Sequence, residues 1–158
     1  MKMKLMLLAV LWILPLSSMA GDYLPLRDAV EKVMIDYLVK SRPNHAFTLA
    51  RPAGVGDEWA ELKGGMESKI LRAIGPAAKS FVPFAEAKPG RLGGMMSPAE
   101  ETLDVFHINS VQYIDANTLE IGVSAYRSPS IGHGAVYKVT LKEGRPELEI
   151  IDKFGSGK

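Results

Sequence analysis

The fold class this sequence predicts is α+β: two N-terminal helices packed on a curved antiparallel sheet of about four strands arranged as a meander. Three observations predict it. Apolar residues between Leu26 and Lys40 repeat with a helical period, the period changes to two from Thr102 onward, and short turn-forming stretches join the later segments. Parallel neighbours would need crossovers of a dozen residues or more, so the short connections imply antiparallel pairing.

The chain opens on MKMKLMLLAVLWILPLSSMA, which reads as a secretory signal peptide. Lys2 and Lys4 form a positive start, Leu5 to Leu16 an apolar stretch, and Ser18-Met19-Ala20 a small-x-small processing pattern. The apolar stretch is short for a bilayer crossing, and Pro15 interrupts it near its end. Cleavage is expected between Ala20 and Gly21, leaving residues 21–158 as a single periplasmic or secreted domain without a stable membrane anchor.

Charge and cysteine usage narrow the classes further. Taking the leader's two lysines from nineteen basic residues leaves seventeen against eighteen acidic ones. That balance excludes a strongly basic nucleic-acid binder, whose affinity comes from clustered Lys and Arg facing phosphates. The chain contains no cysteine. Disulfide staples, thiol catalysis, thiolate zinc sites, iron–sulfur clusters and acylation of a cysteine at position 21 are therefore excluded. Stability has to come from packing and hydrogen bonds.

In the first helix Leu26, Ala29, Val30, Val33, Met34, Tyr37 and Leu38 form the buried stripe, with Asp28, Glu31, Lys32, Asp36 and Lys40 opposite. Pro25 suits its first turn, and Pro43 ends it near Ser41. His45 to Leu49 reads as a short strand, followed by a loop through Pro52, Gly54 and Gly56. A second helix is expected from an Asp57 cap to Gly75-Pro76, on a stripe of Trp59, Leu62, Met66, Ile70 and Ile74. Gly64-Gly65 in its middle costs about 1 kcal/mol per glycine and marks a kink or a close backbone approach.

Residues 76–98 read as irregular, because four prolines and three glycines forbid long regular structure. Phe81, Val82, Phe84, Met95 and Met96 are nevertheless too apolar for a solvated linker, and Ala77 to Phe81 reads as a helical turn. Such a segment either closes one end of the core or covers a functional surface. Ser97-Pro98 with Glu100 has the capping-box spacing and predicts a short helix start. Leu103 to Asp115 is a strand, Asp115-Ala116-Asn117 a turn, and Leu119, Ile121, Val123 and Ala125 the inward face of the next strand. Ser128 to Gly134 is expected to be a seven-residue loop. Ala135, Tyr137, Val139 and Leu141 then face inward, Glu143-Gly144-Arg145 turns the chain, and the last strand begins at Glu147 with Leu148 and Ile150 inward.

From Val111 to Ser156 the chain runs V-x-Y-I-D-A-N-T-L-E-I-G-V, a loop with Ser128-Pro129 and Gly132-His133-Gly134, then Y-K-V-T-L-K-E-G and a closing strand. This resembles the last strands of small exported bacterial domains with the nuclear transport factor two-like fold, a cystatin-like roll in which a curved sheet wraps a long helix. Pro146-Glu147-Leu148 stands where such domains often carry a tryptophan. The resemblance implies a fold that hosts enzymes, ligand binders and immunity proteins alike, so it assigns no activity. It brings no catalytic residues onto this chain.

Motifs for chemistry are sparse. His45, His107 and His133 are scattered, with no H-E-x-x-H pair, so neither a metal site nor a cofactor is expected. There is no G-x-S-x-G elbow, Lys79-Ser80 is a chance adjacency, and Gly54-Val55-Gly56 lacks the lysine of a phosphate loop. Candidate binding residues are Ser128, Ile131 and His133 in the expected loop, together with Tyr113, Tyr126 and Tyr137 on the sheet. Each has a plainer reading, as an exposed hairpin tip or as core and edge packing.

Three functions stay open. The first is an exported, non-enzymatic binding or inhibitory module that occludes an envelope or secreted protein partner, as an immunity protein does. The second is a small-ligand binder with a Tyr- and Met-lined pocket between sheet and helix. The third is a hydrolase whose site is assembled only by the fold, tested by whether His107 or His133 meets a serine or carboxylate. The oligomeric state is left open.

Overall fold

A computed structural model describes residues 19–52, 59–62, 65–90, 93–128 and 131–155. The architecture is α+β, as the change of period predicts. Helix α1 spans Met19–Ser41. It begins earlier than expected, so Pro25 lies inside it rather than in its first turn. Ala29, Val33, Met34, Tyr37 and Leu38 are buried along the predicted stripe. The helix ends where Arg42 turns to φ 46° and its N–H bonds to Leu38 O at 3.0 Å. Pro43 then prevents continuation.

Strand β1 (Phe47–Pro52) pairs antiparallel with β2 (Trp59–Glu61), Ala50 opposite Glu61. The second helix is thus shorter than expected: Trp59 to Glu61 is strand, and α2 covers only Met66–Ile74. Its start is set by Gly65, whose φ of 74° reverses the chain in a conformation that side chains disfavour. The predicted Asp57 cap lies outside the described residues. Of the predicted stripe Leu62, Ile70 and Ile74 are buried, the last two on α2, and Lys69 of α2 reaches Glu31 of α1 at 3.4 Å.

The stretch 76–98 is more ordered than its composition suggests. Two short 3-10 turns, Gly75–Ser80 and Phe84–Glu86, lead into a small hairpin of β3 (Lys88–Pro89) and β4 (Met95–Met96). Short 3-10 turns tolerate proline where an α-helix would break. Ser97 does not start a helix. Its Oγ accepts from Glu101 N at 3.1 Å, and Glu100 N bonds to Ser97 O, but Glu100 sits at φ 62° and directs the chain into a strand.

Four long strands follow: β5 (Thr102–Asp115), β6 (Thr118–Ser128), β7 (Ile131–Lys142) and β8 (Arg145–Gly155). They form the expected antiparallel meander, but the sheet is larger than four strands. Its order is β2-β1-β5-β6-β7-β8, with β4 also on β5 and β3 on β4. β1 pairs parallel with β5, Phe47 opposite Asp104 through Ala50 opposite His107. The long excursion through α2 and the hairpin supplies the crossover that this parallel pair needs.

The seven-residue loop expected at Ser128 to Gly134 is also corrected. Ser128 and Ile131 already pair, and Gly132, His133 and Gly134 are ladder residues of β7. Gly134 is small for a packing reason rather than a turn. A Cβ there would overlap the Phe154 ring and lie 2.6 Å from Val123 O.

One sheet face carries Phe106, Ile108, Leu119, Ile121, Val123, Ala125, Ala135, Tyr137 and Val139 against α1 and α2. Edge-on aromatic contacts tie this layer together, Tyr37 to Phe106 at 5.9 Å and Phe47 to Phe106 at 5.7 Å. Phe81 joins them against Phe47 at 5.7 Å, so part of the irregular stretch closes one end of the core. The opposite face carries His107, Ser124, Tyr126 and Gly134, by the alternation of the same ladders. Among the described residues no helix is long and apolar enough to cross a membrane.

Candidate functional site

A groove of about 900 Å³ opens where the β3–β4 hairpin meets the ends of β6 and β7. Its walls come from Lys88 to Gly90 and Gly94 to Pro98 on one side, and from Arg127, Ser128 and Ile131 on the other, with Glu100 and Thr102 at one end. The hairpin is held by Gly90 N to Gly94 O at 2.7 Å and by the pairing of Met95 with Leu103. Tyr126 fixes it from below, donating its hydroxyl to Gly93 O. Gly94 packs tightly on the same strand, since a Cβ there would lie 2.5 Å from Arg127 O.

The groove is amphipathic. Met95 and Met96 are half-buried and Ile131 is 55% exposed, giving an apolar strip that a flexible thioether can adapt to different shapes. Arg127 is neutralised by Asp104, whose two carboxylate oxygens accept from Nε at 2.8 Å and from one terminal nitrogen at 3.2 Å. This forked geometry locks the guanidinium and the wall it belongs to. Lys88 and Glu100 add one charge of each sign. Such a surface suits an apolar side chain with polar flanks, not a polyanion.

A second polar cluster lies on the same sheet face. Ser124 Oγ donates to Asn109 Oδ1 at 2.7 Å and stands 2.9 Å from His107 Nε2. A serine hydroxyl has one proton, and here Asn109 takes it. The proton of the second contact therefore comes from His107 Nε2, which donates to the serine rather than accepting from it. Burial holds the His107 imidazole neutral, with its pKa pushed down to about 4. A histidine that donates to the hydroxyl and resists protonation is no base for that serine. The cluster is a hydrogen-bond chain across β5 and β6, and the meeting of His107 with a serine gives no activated nucleophile.

The six candidate binding residues divide between places. Ser128 and Ile131 line the groove, and Tyr126 supports it. His133 turns to the helix layer, where Tyr37 donates its hydroxyl to His133 O at 2.8 Å and contacts Nδ1 at 2.7 Å. With that proton spent on the carbonyl, Nδ1–H is the donor of the second bond. Burial raises the Tyr37 phenol to about 12. Tyr137 is fully buried and donates to Asp36 Oδ2 at 2.9 Å. Burial first, then that hydrogen bond to a carboxylate, holds its phenol well above the usual range. Lys40 closes this cluster, 2.6 Å from Asp36 Oδ2 and 5.8 Å above the Tyr137 ring. Tyr113 is 54% exposed at the far end of β5 and joins neither place.

Sequence reasoning missed Lys88, Glu100 and Arg127 as groove residues. The usable signal was the pair Met95-Met96, too apolar for a solvated loop; nothing in the sequence tied Arg127 to Asp104. Comparison of the chain with protein-family models, with curated proteins and with solved structures gives no match.

Proposed function

We propose that this protein is an exported, non-enzymatic binding module that acts by occluding a protein partner, an apolar side chain of which seats in the end groove. The observation that carries this reading is Ile131, more than half exposed beside Met95 and Met96 in a groove of about 900 Å³. Exposed apolar surface framed by polar residues is what a recognition site presents. The layer between sheet and helices, the expected place for a ligand pocket, is filled by Met34, Tyr37, Phe106 and Tyr137. Export is supported by the leader-like first twenty residues. A cystatin-like roll is supported by the 23-residue α1 lying on the meander.

The test is affinity capture from an envelope extract, using protein expressed from the full chain. One stoichiometric partner is expected, lost on Ile131→Asp while circular dichroism stays unchanged. Recovery of no partner under several salt and detergent conditions overturns the reading. A small apolar ligand is the rival occupant, because the groove volume lies in the ligand-pocket range. Native mass spectrometry that shows a retained small molecule displaced by Ile131→Asp, with no protein captured, favours the rival. N-terminal sequencing of the exported protein should begin at Gly21.

A further inference from the structure

The two long outer strands of the meander end in different ways. Among the described residues β8 pairs only with β7, and its edge is guarded against further pairing. It carries Arg145, Pro146, Glu147, Glu149, Asp152 and Lys153. Charges and a proline are how sheets block unwanted partners. β5 is different. β1 covers its edge only as far as His107, and among the described residues no strand pairs there beyond that point. From Asn109 to Asp115 all seven residues are exposed, and Asp115 alone is charged. Val111 is 41% exposed, Tyr113 54% and Ile114 50%. An edge with apolar side chains and almost no charge is a template for another strand.

We infer that this edge pairs with the β5 edge of a second copy of the chain, making a two-fold dimer with one continuous sheet. The sequence of the edge selects that occupant. A two-fold axis through Gln112 places Val111 opposite the second copy's Tyr113 and Tyr113 opposite its Val111. Both residues lie on the helix-bearing face, since they pair with Ile121 and Leu119 within the chain. Aromatic against β-branched is a favourable cross-strand combination. β5 bulges between Ile108 and Ser110 and between Tyr113 and Asp115, so the regular ladder of this edge is Ser110 to Tyr113, which carries no charge. Moving the register by one residue would put Val111 against a residue of the other face. Pairing of β5 with β8 of another molecule would bring the apolar edge against the guarded one.

The dimer leaves the proposed recognition groove open. Thr102, at the groove, and Ser110, in the paired edge, are eight residues apart along β5, or about 26 Å at strand rise. Two grooves would face outward from one assembly, and the dimer holds whether or not the groove binds a protein.

The chain has no cysteine, so a single introduced thiol reports the pairing without background. Gln112→Cys places two thiols across the axis, with Cα atoms at cross-strand distance and within disulfide reach. Mild oxidation should convert the variant to a covalent dimer much faster than Glu149→Cys on the guarded edge. Sedimentation of the unmodified protein from low micromolar to near-millimolar concentration should show a monomer–dimer equilibrium. Gln112→Lys sets two ammonium groups against each other and should weaken the dimer by about tenfold or more, with partial recovery at high salt. Its circular dichroism should not change, nor its melting temperature at concentrations where the protein is monomeric, because the residue is exposed. A monomer throughout that range overturns the inference, and so does Gln112→Cys cross-linking no faster than Glu149→Cys. A dimer indifferent to Gln112→Lys also overturns it, as does one obtained only with a different protein's strand on the edge.

Discussion

His107 should make the protein lose stability in acid over a defined window, by an amount set by its burial. Its folded pKa is about 4 against 6.5 for the ordinary imidazole. The unfolded chain therefore binds a proton between these values while the folded chain does not. Where the unfolded state binds more protons, stability rises with pH. The His107 contribution is thus complete above pH 6.5, falls as pH drops toward 4, and changes no further below that, where both states are protonated. A tenfold difference in proton affinity corresponds to about 1.4 kcal/mol, so the window spans about 3 kcal/mol. That is a large share of the ~5–15 kcal/mol a domain normally has. Carboxylates also titrate in acid, so the measurement has to be differential. His107→Gln keeps an N–H that can donate to Ser124 Oγ but cannot titrate. Urea unfolding from pH 7 to pH 3 should show the unsubstituted protein losing about 3 kcal/mol more than the variant, all of it between pH 6.5 and 4. Parallel curves, or an excess loss confined below pH 4, would refute a buried neutral imidazole.

Three further outcomes follow from particular contacts. Thr48 is fully buried and its Oγ1 has no hydrogen-bond partner among the described residues, so Thr48→Val should raise stability by about 1 kcal/mol in denaturant unfolding. Gly134→Ala should cost about 1–3 kcal/mol, and adding Phe154→Ala should restore only part of it, because the carbonyl of Val123 still stands 2.6 Å from the new methyl. Tyr37→Phe keeps the edge-on contact with Phe106 but strands the Nδ1–H and the carbonyl of His133, so a loss of about 1–2 kcal/mol is expected; a thermal melt unchanged by this substitution would show that those bonds contribute nothing.

What the sequence made legible is what periodicity and turn chemistry encode locally. Val33, Met34, Tyr37 and Leu38 repeat with the helical period, and Leu119, Ile121, Val123 and Ala125 alternate, so α1 and the sheet's inner face could be read before any contact was known. Asp115 to Asn117 turned as predicted, with Asp115 Oδ1 accepting from Asn117 N at 2.8 Å. Glycine misled in both directions. Gly132 and Gly134 suggested a loop, although β7 needs them for close approach to β6 and Phe154. Gly65 suggested a kink inside one helix, although its positive φ separates a strand from a helix. A glycine reports freedom from a side chain, and local sequence does not say whether a turn or a neighbour uses that freedom.

The groove was hidden for another reason. Its walls come from residues 88–102 and 127–131, brought together only because β4 adds to the start of β5 while β6 ends beside it. Two-residue strands carry no period, so nothing announces β3 and β4 in the sequence. The pair Asp104–Arg127 spans 23 positions and exists only in the β5–β6 register. The consequence for function is directional. The strong local signals built the scaffold, while the surface with exposed Ile131 and two methionines depends on a weakly patterned hairpin held by Tyr126 and Gly94. Loosening that hairpin should therefore weaken the proposed recognition while the domain stays folded, whereas damage to α1 should lower stability and lose both together.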